Sequence, residues 1–204
     1  MKVLRKKLAL AVRELYQAGL ITSTGGNVSC RVDGGFLITP SGKAKGTLEA
    51  EDMIFLDAAG RATGGERPSA ETGMHLAVYR ERPDTGAVVH NHAPMSLLLG
   101  ITGMAIPPVS LESLPFVSLP RVPFHLPGSR QLADAVGAAL AGSAAVLLVN
   151  HGAVTAGSSL EKAVEVSHTL ESAARMAWWL QVLKLPISEL DLGVIEALLK
   201  SGLK

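Results

Sequence analysis

The sequence predicts one compact α/β domain, 1–204. Three observations carry that expectation. The 204 residues are 48% hydrophobic, enough to fill a single core without a second domain. Segments with apolar residues at helical spacing alternate with short β-type runs. Two of those runs, AVVHNHA (87–93) and AAVLLVNHG (144–152), are apolar strands that each deliver histidine at the end. Aromatic residues are only 4%, so Ala, Leu and Val must do the filling.

In chain order, Val3, Leu4, Leu8, Val12, Leu15 and Tyr16 repeat at helical spacing over 2–18 and stop at Gly19, a residue suited to a C-terminal cap. From Gly25 to Asp57 the texture changes to NVSCRV, GFLITP and MIFLD, separated by Asp33-Gly34-Gly35 and Pro40-Ser41-Gly42 turns, which predicts an antiparallel meander. Pro68-Ser69-Ala70-Glu71 opens a helix to about Arg80 with Ser69 as its cap. TGAVVHNH then reads as a buried strand, and a helix follows from Pro94 to Gly100.

The stretch 103–128 holds six of the eleven prolines. It should be irregular, the rim of a site or interface carrying Glu112, Arg121 and His125. Helical patterns return at 130–141, at Ser159 to Leu183 (with Glu161, Glu165, His168, Glu171 and Arg175 on polar positions) and at Ser188 to Lys200.

Lys plus Arg (19) and Asp plus Glu (18) nearly balance, so the long-range positive field that gathers nucleic-acid phosphates is missing; no nucleic acid and no membrane partner is expected. No apolar run approaches the roughly 18 residues that cross a bilayer. The single cysteine, Cys30, cannot form an internal disulfide, and the charged residues of MKVLRKKLALAVRELYQ break up any signal-peptide core; both point to the cytoplasm.

The chemistry is concentrated at the two histidine-bearing strands. Side chains at i and i+2 of a strand share a side, so His90 and His92 should present two parallel imidazoles with Asn91 turned away. His151 is the natural third ligand, and three histidines leave a coordination position open, as in catalytic zinc sites. Zinc is the first choice, with Mn2+, Co2+ or Fe2+ also compatible with imidazole donors. His75, His125 and His168 each stand alone, which favours structural or solvent-facing roles. Glu71, at a helix start that favours an anion, can ligate a neighbouring metal or take a proton from a substrate on it. S-T-G-G-N (23–27), T-P-S-G-K (39–43) and R-P-S-A (67–70) are three candidate anion loops, each weak alone. Lys43, Lys45 and Lys162 sit in loop-like or polar settings without the burial that would prepare a Schiff-base lysine.

Taken together, G-L-I-T-S-T-G-G-N-V-S (19–29), F-L-I-T-P-S-G (36–42), R-P-S-A-E (67–71), A-V-V-H-N-H-A (87–93) and L-V-N-H-G (148–152) resemble, in order and spacing, the class II aldolase family typified by L-fuculose-1-phosphate aldolase and L-ribulose-5-phosphate 4-epimerase. The resemblance implies a three-layer α/β/α fold with a central, mainly antiparallel sheet, and a C4 homotetramer with sites between subunits. It implies zinc on His90, His92 and His151, and Glu71 as acid/base. It places a sugar phosphate against Thr24, Gly26, Asn27, Ser41, Gly42 and Ser69.

The implied reaction is cleavage of a ketose 1-phosphate, such as L-fuculose 1-phosphate or a 5-deoxy or 5-methylthio ribulose 1-phosphate, to dihydroxyacetone phosphate and an aldehyde. Pentulose-phosphate 4-epimerisation and methylthioribulose-1-phosphate dehydration are the alternatives, and an adducin-like interaction module is the non-enzymatic one. Two departures from the family pattern stand out. Ala70 replaces the second of two serines, and the proton-donating tyrosine expected after 106–107 is missing, leaving Glu112 as the candidate substitute.

Overall fold

The computed structural model describes residues 1–184 and 186–200. Seven strands make one sheet: β1 (Asn27–Val32), β2 (Gly35–Ile38), β3 (Ile54–Asp57), β4 (Ala87–Asn91), β5 (Arg121–Val122), β6 (Ala145–Leu148) and β7 (Gly152–Gly157). Their order is β3-β2-β1-β4-β7-β6-β5. Neighbours run antiparallel except for β5 beside β6. Helices α1 (Lys2–Gln17), α3 (Pro94–Thr102) and α5 (Leu160–Leu183) cover one face, and α2 (Thr72–Glu81) and α4 (Arg130–Leu140) the other. The three layers and the mainly antiparallel sheet match the expected fold class.

Strand β4 lies at the centre and all five of its residues are buried, since a strand covered on both faces needs apolar side chains on both. Ala87 and Val89 pack with α1, whereas Val88 packs with α2 and α4. The alternation continues beyond the apolar part. His90 follows Val88 onto the α2 side, and Asn91 follows Val89 towards α5, where its amide donates to Ser167 Oγ at 3.4 Å. A site that needs a histidine facing α2 therefore inherits its direction from the packing of two valines.

The structure departs from the sequence-based expectation in several elements. Helix α2 begins at Thr72, not at Pro68, and Ser69 does not cap it. Ser69 instead closes a turn: its Oγ accepts the Glu71 N–H at 3.3 Å, and its carbonyl accepts the Thr72 N–H at 3.1 Å. Glu71 thus occupies the cap position with its carboxylate free to point elsewhere. The last helix, α6 (Leu192–Lys200), starts late because Asp191 Oδ1 accepts the N–H groups of Gly193 and Val194 at 2.9 and 3.1 Å. Strand β7 and the two-residue β5 lack a sequence signal of their own; they are strands because β4 and β6 offer them partners.

Glu171 is the largest correction on α5. Its spacing marks a polar, exposed position, yet it is buried. Its carboxylate accepts the N–H groups of Met95 and Ser96 and the Ser96 hydroxyl, each at 2.9 Å. The anion satisfies the open N–H groups at the start of α3 and complements the helix dipole. Truncation in Glu171→Ala leaves those donors buried without a partner. It is expected to cost roughly 3 kcal/mol of stability, read from chemical denaturation midpoints; an unchanged midpoint would show that water replaces the carboxylate at no cost.

Candidate active site

Three imidazoles converge at the end of β4. His90 and His151 have ring centroids 4.7 Å apart, His90 and His92 4.8 Å, and His92 and His151 5.3 Å. His90 and His92 reach the same centre, as their i, i+2 spacing suggests, with their rings edge-on at 71°. Strand β4 ends at Asn91, and the His92 N–H turns to the Leu20 carbonyl at 2.9 Å instead of continuing the ladder. One potential ligand atom from each histidine lies within 4.8 Å of the others, so the triad can hold a metal ion.

His151 arrives from the turn between β6 and β7, not from a strand end. The N-H-G motif has a local explanation. Asn150 adopts a left-handed φ of 60°, which asparagine tolerates better than most residues, and this swings the next side chain back over the sheet. A Cβ on Gly152 would sit 2.1 Å from the Asn91 carbonyl oxygen, so only glycine lets the turn lie against β4. Gly25 plays a similar part opposite His92, whose Nδ1 would lie 2.7 Å from an added Cβ.

Electrostatics prepare the rings for a cation. His90 Nδ1 donates to the Ala153 carbonyl at 3.0 Å, leaving its Nε2 as a lone pair aimed at the centre; such outer contacts fix the tautomer of metal-binding histidines. Burial, then the neighbouring His92 and His151, push His90 well below its ordinary pKa, and burial, then His151, lowers His92. Neutral imidazole is the ligating form, so protons compete weakly.

His90 Nε2 stands 3.0 Å from His92 Nε2 and 3.2 Å from Glu71 Oε2, while Glu71 Oε1 lies 3.5 Å from His151 Nε2. Glu71 Oε1 is buried with no hydrogen-bond partner among the described residues. A bare nitrogen lone pair against a carboxylate oxygen is repulsive, and a cation at the centre removes the repulsion. The residues present therefore fit a divalent metal.

The other oxygen of Glu71 accepts the Asn27 amide at 2.9 Å, and Asn27 in turn meets His75. His75, read from its isolation in the sequence as structural or solvent-facing, is buried inside this hydrogen-bonded set.

The three candidate anion loops lie side by side. Pro40 and Pro68 form an isolated bridge, Ser41 N–H donates to the Arg67 carbonyl at 3.0 Å and Ser69 N–H to the Thr39 carbonyl at 3.1 Å. Lys45 N–H donates to the Ser23 carbonyl at 2.8 Å and joins the first loop to the second. Gly26, Asn27 and Ser69 are buried at the base, with Thr24, Ser41 and Gly42 exposed at the rim. Gly26 and Gly42 take left-handed φ values of 84° and 72°, which glycine adopts freely.

Lys45 corrects another expectation. It is buried, its ammonium donating to the Pro40 carbonyl at 3.1 Å, and burial lowers its pKa. Glu112 is not brought to the triad: it is exposed and lines a cleft of about 690 Å³ with Ser110, His168 and Met176, and none of that cleft's lining residues belongs to the triad.

The class II aldolase and adducin N-terminal domain model matches residues 6–178. The chain belongs to that family. This class II aldolase is 36% identical over 178 residues to L-fuculose phosphate aldolase of Escherichia coli strain K12, covering 84% of the chain and 83% of the relative. It is also 36% identical over 177 residues to 5-methylthioribulose-1-phosphate/5-deoxyribulose-1-phosphate aldolase of Rhodospirillum rubrum, covering 86% and 80%. Among solved structures, the YgbL protein of Escherichia coli, whose assignment spans aldolase, epimerase and decarboxylase, superposes with a TM-score of 0.87 at 32% identity, over 97% of this chain and 98% of that one. The two curated relatives given above are named aldolases, and this chain is an enzyme of the same lyase class. No helix among the described residues is long and apolar enough to cross a membrane.

Proposed function

We propose that the chain acts as a single domain, a zinc-dependent lyase that cleaves a ketose 1-phosphate to dihydroxyacetone phosphate and an aldehyde, as a cytoplasmic C4 homotetramer. The observation that carries this reading is the convergence of three imidazoles and the unpartnered Glu71 oxygen within a few ångströms, beside three joined loops suited to an anion. The two curated relatives are named as aldolases of L-fuculose phosphate and of 5-methylthioribulose 1-phosphate and 5-deoxyribulose 1-phosphate, which supports a sugar-phosphate substrate.

His90, His92 and His151 would hold the metal, which supplies an electron sink for charge developing on a substrate carbonyl. Thr24, Gly26, Asn27, Ser41, Gly42 and Ser69 orient the phosphate end, fixing which carbon faces the triad. Two of the loop N–H groups, those of Ser41 and Ser69, are committed to Arg67 and Thr39 carbonyls. The Ser69 hydroxyl, which accepts the Glu71 N–H, still has its own proton to donate to the anion. Glu71 takes and returns a proton at the carbon beside the triad. Glu112 remains the proposed acid/base partner of the aldehyde oxygen, taking the hydroxyl proton as that oxygen becomes the aldehyde carbonyl in cleavage and giving it back in the condensing direction; to reach it from the cleft beside α5 it would have to come from a neighbouring subunit.

A panel of ketose 1-phosphates offered to the zinc-loaded protein tests the reading. Dihydroxyacetone phosphate plus an aldehyde is expected. A 4-epimer, a diketone or carbon dioxide would reassign it to epimerase, dehydratase or decarboxylase chemistry on the same electron sink. Absence of stoichiometric divalent metal in the purified protein, together with no turnover of any sugar phosphate, would leave the adducin-like interaction module. Metal analysis also decides zinc against manganese, cobalt and iron.

A further inference from the structure

Glu71, His75 and Tyr79 are spaced four apart on α2, so they form one stripe along the helix. Asn27, Ser29 and Arg31 are spaced two apart on β1, so they line one face of the sheet. The two rows lie against each other and their polar atoms join in a buried line. Glu71 Oε2 contacts Asn27 Nδ2 at 2.9 Å, Asn27 Oδ1 contacts His75 Nε2 at 2.5 Å, His75 Nδ1 contacts Ser29 Oγ at 2.7 Å, and Ser29 Oγ contacts Tyr79 Oη at 2.8 Å. Arg31 closes the far end, its guanidinium 4.9 Å from the Tyr79 ring centre and 5.3 Å from that of Phe36, and it donates to the Tyr79 and Thr85 carbonyls.

The direction of every bond follows from the acid end. A carboxylate only accepts, so the Asn27 amide must present its N–H to Glu71 and its oxygen to His75. That oxygen needs a donor, which places the His75 proton on Nε2. Nδ1 is then an acceptor, Ser29 donates to it, and the Tyr79 hydroxyl donates to Ser29. With the opposite amide orientation, two oxygens would face each other at 2.9 Å in a buried site, where an unfavourable polar contact is costly.

We infer that His75 is a positioning residue: as a neutral ring protonated on Nε2, held so by Ser29 and Tyr79, it locks the Asn27 amide in the one orientation that presents a donor to Glu71. This rests on the proposed role of Glu71. The environment agrees with a neutral ring, because complete burial pushes the His75 pKa down to about 3. Burial likewise raises that of Tyr79, which stays a phenol able to donate. Asn27 thus has two duties, since one amide N–H is committed to Glu71 and the other remains for substrate.

The test combines a spectroscopic and a kinetic measurement. In zinc-loaded protein with 15N-labelled histidine at pH 7, the resonance lost in His75→Gln should report a neutral, Nε2-protonated ring. An Nδ1-protonated or cationic ring overturns the inference. With the ketose 1-phosphate turned over by the wild type, His75→Leu should lose roughly ten- to hundredfold in kcat, the usual scale for removing an outer contact of a metal site, with KM changed little. His75→Gln can donate to Asn27 and accept from Ser29, and should recover most of that loss. Equal losses in both variants, or wild-type kcat in His75→Leu, would mean that the ring only fills space. If the leucine variant does not fold, the glutamine variant and the ring spectrum still decide. Should the wild type turn over no ketose phosphate, the functional reading fails while the spectrum continues to test the hydrogen-bond polarity.

Discussion

Alanine at position 92 is expected to strip the metal and take activity to background. If three imidazoles share a binding free energy on the order of 10 kcal/mol, the low end for a zinc site, losing one costs roughly 3 kcal/mol, more than a hundredfold in affinity. The loss of geometry adds to this, since two nitrogens no longer enclose a point. His92 is suited to the experiment because it is half-buried, lies just past the end of β4, and its backbone N–H rather than its ring ties it to Leu20. The fold should survive, as shown by an unchanged circular dichroism spectrum. Metal content after dialysis and product release are the two readouts. A His92→Ala protein that keeps stoichiometric metal and full turnover would remove the triad from the chemistry.

The second large effect belongs to Glu71→Gln. The substitution keeps the shape of the side chain and an oxygen for the Asn27 amide, while removing the ability to accept a proton. Turnover should fall by about 10²–10⁴, the range for losing a general acid or base, with metal content unchanged because Glu71 is not among the three proposed nitrogen ligands. The sign of the metal result discriminates between roles: parallel loss of metal would make Glu71 a ligand. Full activity would exclude it from proton transfer.

Much of this site was legible before the fold was known. The i, i+2 spacing of His90 and His92 after an apolar run, the second run ending at His151, and the glycine- and serine-rich loops are local patterns, and local patterns survive in a linear string. The alternation of Val88 and His90 with Val89 and Asn91 was readable for the same reason. Other features were misread because their cause is non-local. Glu171 has the spacing of a surface acid, and only the arrival of α3 at its carboxylate makes it a buried cap. Lys45 sits in a turn-like sequence, and only the packing of two loops buries it. Glu112 follows the missing tyrosine in order, but the loop that carries it lies beside α5 and not at the triad. The rows E-x-x-x-H-x-x-x-Y and N-x-S-x-R were visible as spacings, with nothing to say that one lies on the other.

The sequence by itself determined which side chains were available and how each element presents them, because backbone periodicity and turn chemistry act over a few residues. The tertiary structure alone decided that His151 joins the pair from β4, that three weak anion loops become neighbours, and that Glu71 ends between an amide and the imidazoles. The physical reason is that hydrogen-bond direction and lone-pair repulsion act over about 3 Å, and residues 27, 71, 90 and 151 come that close only after helices on both faces bury the sheet.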